Sequence, residues 1–189
     1  MEARIKMTEH QGYYTSEEYF SWTDDERWEI INGVPYAMAT PSFRHQRIAR
    51  KLGRQFEDFL EGKTCEAFSL PIDVQLNADE ADDTIVQPDI TVICDKSKLV
   101  EGRGYRGVPA MVVEILSPST SRKDRTVKFE AYRKAGVPEY WIVDPVSKTV
   151  QVFLLADGEY VPEIYDSTAL VPVKVLEGCE INLASVFVE

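Results

Sequence analysis

Two carboxylates in this sequence sit where an apolar strand would not ordinarily keep them. Glu114 is the single charge in MVVEILS, and Asp89 follows Pro88 at the head of the apolar run ITVIC. An ionised carboxylate inside such a strand is costly to bury, so each must be paired, metal-bound or at a sheet end that meets water. The connection from Cys94 to Ala110 is long enough to lay the two strands side by side. Two carboxylates on adjacent strands form a hard-oxygen site suited to Mg²⁺ or Mn²⁺, which keep several waters for substrate chemistry. The backbone carbonyl of Ile115 can add a further ligand. A salt bridge from each acid to a nearby arginine is the competing account.

The elements around this pair follow from spacing. In SPSTSRKDRTVKFEAYRKAGVP, Ser119 or Thr120 can cap a helix that ends at Gly136, before Pro138. Asp124, Lys128 and Tyr132 lie four apart on one face of it, so Lys128 either pairs with Asp124 or returns its ammonium to the carboxylates. EYWIVDP then reads as a strand, giving a β-α-β unit with parallel strands.

Upstream, SFRHQRIARKLGRQFEDFL places Ile48, Leu52, Phe56, Phe59 and Leu60 at helical spacing, with Arg44, Arg47, Arg50, Lys51 and Arg54 around the rest. His45 begins this helix, where it reads on its own as a surface or capping residue. A short helix from Thr15 precedes a hairpin turning at Asn32-Gly33, and Glu29 on that hairpin can find a cross-strand cation. CEAFSL and PIDVQL read as short strands, NADEADD as an acidic loop that buries little of itself, and KSKLVEGRGYRGVP as a solvated loop or mobile lid. KTVQVFLL and EYVPEIY continue the sheet antiparallel, and NLASVF closes the chain. The expected fold is α/β, one mixed sheet with helices on its faces.

Length and composition bound the rest. The chain has 189 residues, 44% hydrophobic and 28% charged, enough for one packed domain: a tail over 1–13 and a domain over 14–189. No apolar run approaches the roughly 18 residues of a membrane helix, and the N-terminus lacks a signal-peptide core, so a soluble, cytoplasmic protein is expected. Cys65, Cys94 and Cys179 exclude a full disulfide framework and a CxxC knuckle, and are expected buried and reduced. A net charge of −11 argues against a phosphate-binding surface, but segments 44–54, 96–106 and 122–134 hold 15 of the 21 Lys and Arg and three of the 32 acids. Arg44, Arg47, Lys51, Arg122 and Lys123 are the candidates there for phosphate contacts, against an ordinary solvated helix face.

Pro88-Asp89, Glu114 in VVEILSPST, Lys128 and GVPEYWIVDP together resemble the Uma family of nucleases, whose members resemble the PD-(D/E)XK restriction-endonuclease fold. The resemblance runs from about Tyr14 to about Phe187. It implies Asp89 and Glu114 as metal ligands, Glu29 as a further site acid, and His45 as a site residue. The superfamily pattern has a lysine two positions after the glutamate. Leu116 stands there, so the lysine is expected on the following helix, at Lys128 or in second place Lys123. The implied activity is Mg²⁺- or Mn²⁺-dependent cleavage of DNA. The rival expectation is a nucleic-acid- or protein-binding module that kept the fold and lost the chemistry, and the aromatic C-terminal strands suggest a homodimer face.

Overall fold

The computed structural model describes residues 12–23, 27–69, 71–78 and 81–188. Helix α1 (Ser16–Ser21) opens at Thr15, whose backbone N–H donates to the Glu18 carboxylate at 2.8 Å. Strands β1 (Trp28–Ile31) and β2 (Val34–Ala37) form the expected hairpin, and Asn32 and Gly33 take φ of 50° and 74°. Helix α2 (Phe43–Leu60) is capped by Ser42, whose Oγ accepts the His45 backbone N–H at 3.2 Å. Its apolar stripe of Ile48, Leu52, Phe56 and Leu60 is buried.

Five short strands follow: β3 (Glu66–Phe68), β4 (Val74–Gln75), β5 (Ile85–Val86), β6 (Ile90–Ile93) and β7 (Leu99–Val100). After β8 (Gly104–Arg106) and β9 (Met111–Ile115) comes a helix in three parts: α3 (Ser121–Lys123), a π-helical turn (Asp124–Lys128) and α4 (Phe129–Ala135). It stops at Gly136, at φ 82°. The chain ends through β10 (Glu139–Asp144), β11 (Thr149–Ala156), β12 (Glu159–Tyr165), β13 (Leu170–Pro172), β14 (Glu180–Asn182) and α5 (Leu183–Val186).

The strands build two six-stranded mixed sheets and a small pair where one sheet was expected. One runs β2-β1-β5-β4-β8-β7 and the other β12-β11-β10-β9-β6-β3, with β13-β14 separate. Strands β9 and β10 are parallel, joined by the α3–α4 helix as expected, and β10-β11-β12 are antiparallel. One face of the second sheet, with Met111, Val113 and Ile115, packs in the same core as α2. Val112 belongs to a second core with Ile31 of β1 and Tyr132 of α4. Alternation along β9 therefore aims Glu114 at that second layer, toward the helix and the first sheet.

Three further expectations change. The KSKLVEGRGYRGVP segment is neither lid nor free loop: it forms the β7–β8 hairpin, and β8 pairs parallel with β4. Cys65 and Cys94 form a disulfide one step beyond the Glu66–Ile93 pair, because the β3–β6 register sets them opposite each other; Cys179 is buried and free as expected. Asp79 and Glu80 of the acidic loop lie outside the described residues, but Asp83 is buried, accepting hydrogen bonds from Asn77 at 2.7 Å and Thr84 at 3.0 Å. Of the N-terminal tail, residues 1–11 lie outside the described residues, and the Tyr13 hydroxyl bonds Asp83. Among the described residues no helix is long and apolar enough to cross a membrane.

Candidate active site

Antiparallel pairing of β6 with β9 sets Ile90 against Val113, so one step further Asp89 stands beside Glu114. Asp89 Oδ2 accepts the Ile115 backbone N–H at 2.7 Å and contacts His45 Nε2 at 3.1 Å. His45 reaches it from the first turn of α2. Glu114, almost fully buried, uses Oε1 for two contacts, the Tyr132 hydroxyl at 2.6 Å and the Lys128 ammonium. Glu29 arrives on β1 from the other sheet. Its Oε1 accepts from Lys128 Nζ at 2.7 Å and from the Gln87 backbone N–H at 2.8 Å, while Oε2 pairs with Lys123.

Lys128 thus bridges Glu29 and Glu114 and makes no ion pair with Asp124, the i,i+4 alternative open from the sequence. The π-helical turn is the local device here. Turns of this kind interrupt α-helices at functional sites and change where following side chains point. Asp124, Lys128 and Tyr132 are all buried, on a helix whose neighbouring positions Arg122, Arg125 and Glu130 are exposed.

The electrostatics are uneven. Burial pushes the Glu114 carboxyl well above the usual carboxylate range, against the pull of Lys128, and Asp124, Asp89 and Glu29 push the same way. Burial acts likewise on Glu29, but Lys128 and Lys123 outweigh it and hold that acid well below its ordinary value. For Lys128, burial works against the charge, and Glu114, Glu29 and Asp124 overcome it. Burial also opposes charge on His45, where the hydrogen bond and charge of Asp89 prevail and raise its pKa.

These residues line one cleft of about 440 Å³, together with Arg27, Arg44, Asp124 and the turn Ser117–Thr120. Asp89, Glu114, Glu29 and Asp124 share the cleft with Lys123, Lys128, His45, Arg27 and Arg44, so its charge is close to balanced and the donor atoms decide whether a cation suits it. The donors are hard oxygens, and Asp124 Oδ2 is buried without a hydrogen-bond partner among the described residues. Among the described residues no three His, Cys, Asp or Glu side chains already converge as a metal cage. A cation that keeps most of its waters does not require one, and Asp89, Glu114 and the Ile115 carbonyl are hard-oxygen donors of the kind that Mg²⁺ or Mn²⁺ would take.

The expected phosphate contacts divide. Arg44 is exposed and lines the cleft, and Arg47 stands one turn on beside a second depression it shares with Arg44. Lys51 turns away to donate to the Val186 and Val188 carbonyls. Arg122 is exposed outside the cleft, and Lys123 is spent on Glu29.

Three residues escape the sequence reading as members of the site. Asp124 looks like one acid in a charged helix, and only its spacing from Lys128 marks it. Tyr132 shares that spacing. Gln87 gives its backbone N–H to Glu29 while its side-chain amide donates to Asp73 at 2.8 Å and its carbonyl accepts from Arg27 at 2.6 Å. Its place before Pro88-Asp89 is the only signal in the sequence.

A profile described as "Putative restriction endonuclease", that of Uma2, matches residues 16–184. The chain belongs to the Uma2 family. An uncharacterized relative, protein slr1290 of Synechocystis sp., is 30% identical over 140 residues, which cover 72% of each chain. A crystal structure from Anabaena variabilis, described as a "putative nuclease belonging to DUF820", matches with a TM-score of 0.75 at 22% identity, covering 92% of this chain and 97% of that one. At that identity the likeness establishes a shared fold. In this Uma2 chain Leu116, two positions after Glu114, is buried in the second core, and a lysine reaches Glu114 from the helix instead.

Proposed function

We propose that this Uma2 protein is a Mg²⁺- or Mn²⁺-dependent endonuclease that hydrolyses DNA phosphodiester bonds. The observation that carries the reading is the Lys128 ammonium held between Glu114 and Glu29, with Asp89 beside Glu114 at the same cleft. Asp89, Glu114 and the Ile115 carbonyl would hold the cation. Bound there, the cation supplies charge stabilisation at a nonbridging phosphate oxygen and lowers the pKa of a water.

The chain's own residues do the rest. Lys128, fixed by two carboxylates, presents positive charge where the phosphate becomes more negative. Glu29 holds Lys128 and Lys123 in place, which makes it a positioning residue before it is a base. His45 steadies Asp89 and stands at the cleft wall within reach of a phosphate. Arg44 supplies a phosphate contact that carries no sequence information. A homodimer and a cytoplasmic setting, expected from the sequence, belong to the same reading, and sedimentation of the full chain tests the first.

The deciding experiment incubates the purified chain with single-stranded, double-stranded and branched DNA in Mg²⁺ and in Mn²⁺. Cleavage is expected, with a loss of at least about 100-fold in Glu114→Ala. Calorimetric titration of Mn²⁺ should lose its specific heat in Asp89→Ala and Glu114→Ala. Failure to cleave any substrate, or a Glu114→Ala variant as active as wild type, sinks the assignment. Absence of specific metal binding together with absence of cleavage would favour a binding module that has lost its chemistry, whereas specific binding lost in both variants counts against that module.

A further inference from the structure

Asp124 is an acid of the cleft to which neither the cation nor the lysine network gives a task. It is 1% exposed, it lines the cleft, and its Oδ2 has no hydrogen-bond partner among the described residues. A buried carboxylate oxygen without a donor is costly, so a fold that keeps one has a water, an ion or a reaction for it. Burial holds the Asp124 carboxyl above its ordinary value against the pull of Lys128, Thr120 and Lys123, and Glu29 adds to the rise. Its charge acts in turn on Glu114 of β9, on Lys128 of the same helix and on His45 of α2. The carboxyl thus lies within electrostatic reach of the groups that make the site.

Its backbone is held from two sides. The Asp124 N–H donates to the Thr120 carbonyl at 2.9 Å, and its own carbonyl accepts the Tyr140 hydroxyl from β10 at 3.1 Å. Asp124 also opens the π-helical turn, the part of the helix that departs from regular geometry. The other candidates for taking a proton are engaged. Glu29 has donors on both oxygens, and there Lys128 and Lys123 outweigh burial and hold it well below its ordinary value. Burial would discharge Lys128, but Glu114, Glu29 and Asp124 keep it an ammonium, with no lone pair to accept a proton. Asp89 Oδ2 is taken by the Ile115 N–H and by His45, and Asp89 and Glu114 are the ligands assigned to the cation. A carboxylate whose pKa is lifted toward the working pH is a better proton acceptor than an ordinary one.

We propose that Asp124 is a catalytic residue, the group whose Oδ2 takes the proton of the attacking water. This rests on the endonuclease reading of the cleft and gives that reaction its base. The water oxygen bonds to phosphorus as its proton passes to Asp124. The bond from phosphorus to the leaving sugar oxygen breaks, that oxygen takes a proton from solvent, and Asp124 returns its own to solvent.

Steady-state cleavage of the DNA that wild type cuts, in Mn²⁺, tests it on the full chain. Asp124→Asn keeps the shape and removes the base, so kcat should fall about 100-fold or more with KM unchanged. Its melting temperature and its calorimetric Mn²⁺ binding should match wild type. A substrate with sulfur in place of the leaving oxygen, at the position wild type cuts, needs no proton on its leaving group. Asp124→Asn should remain as impaired on it, whereas recovery there would make Asp124 a proton donor and overturn the proposal. In Asp124→Ala, which leaves room at the site, added formate should restore at least about tenfold of the lost rate. Absence of that rescue, or Asp124→Asn cutting within about threefold of wild type, also overturns it. So does a loss of Mn²⁺ binding or of melting temperature in Asp124→Asn that accounts for the lost rate. Equal cleavage by wild type and Asp124→Asn leaves the endonuclease reading standing and removes this one, while a wild type that cuts nothing removes both.

Discussion

At the scale of single residues, Glu29 and Glu114 show how one ammonium can serve two buried acids unequally. Glu29 has Lys128, Lys123 and a backbone N–H, and its pKa lies below the ordinary carboxylate value. Glu114 has Lys128 and a tyrosine hydroxyl, and its pKa lies above. The signs of their pH dependence are therefore opposite. Glu29 contributes stability above the unfolded value near 4.5 that is lost as pH falls toward about 2. Glu114 favours the fold only while protonated, so as pH rises past about 4.5 its ionisation costs the folded state progressively more. We expect Glu114→Gln, in EDTA, to raise stability at pH 7 by about 1 kcal/mol, with the gain vanishing below pH ~4, while cleavage is lost. Urea denaturation across pH measures this, and a variant less stable than wild type at neutral pH would mean that Lys128 outweighs burial. Such a cost, kept in the core without structural return, is what a working carboxylate looks like. It is also why Asp89 and Glu114 were legible from type and neighbours alone, whereas Asp124 was not: an acid among arginines and lysines looks solvated until the helix is folded.

Elements explain which parts of the scaffold could be read ahead. The Asn32-Gly33 hairpin, the amphipathic α2 and the β9-helix-β10 unit each carry a local signal several residues long, and each forms where its pattern says. The β7–β8 hairpin carries none, because its strands are two and three residues long and its partner β4 is set by tertiary pairing. The π-helical turn is equally silent, since its residues keep the composition of an ordinary helix. The hairpin nevertheless bears on the site. Gly104 sits at φ 74° with the position of an added Cβ 2.1 Å from the Asp73 carbonyl, the same carbonyl that accepts the Tyr105 N–H. The Asp73 side chain in turn holds Gln87, which holds Glu29. Gly104→Ala should therefore cost about 2–3 kcal/mol in urea denaturation, through both the left-handed backbone and the clash. A change below about 0.5 kcal/mol would mean that the segment behaves as a loose lid after all.

For the whole molecule, the question is how a chain of net charge −11 approaches a polyanion. Its basic segments do not form the broad cationic face that their composition suggests, because the fold spends much of their charge internally. Lys123 and Lys128 go to Glu29 and Glu114, Arg133 to Glu130 and Glu159, Arg103 to Glu17, Arg54 to Asp58, Lys96 to Glu66 and Arg125 to Asp144. Arg27 and Arg44 remain at the cleft, with Arg47 one turn beyond. Each phosphate neutralised on a single strand contributes about 0.7 to the slope of log K against log salt, so three arginines give a slope of about −2. We expect that shallow value for a short single-stranded oligonucleotide at pH 7, falling to about −1.4 in Arg44→Ala as one phosphate contact is removed. Anisotropy titrations between low and physiological salt measure it. A slope steeper than about −5 would require phosphate contacts from a wide basic surface, reaching exposed cations such as Arg50, Arg122 and Lys134.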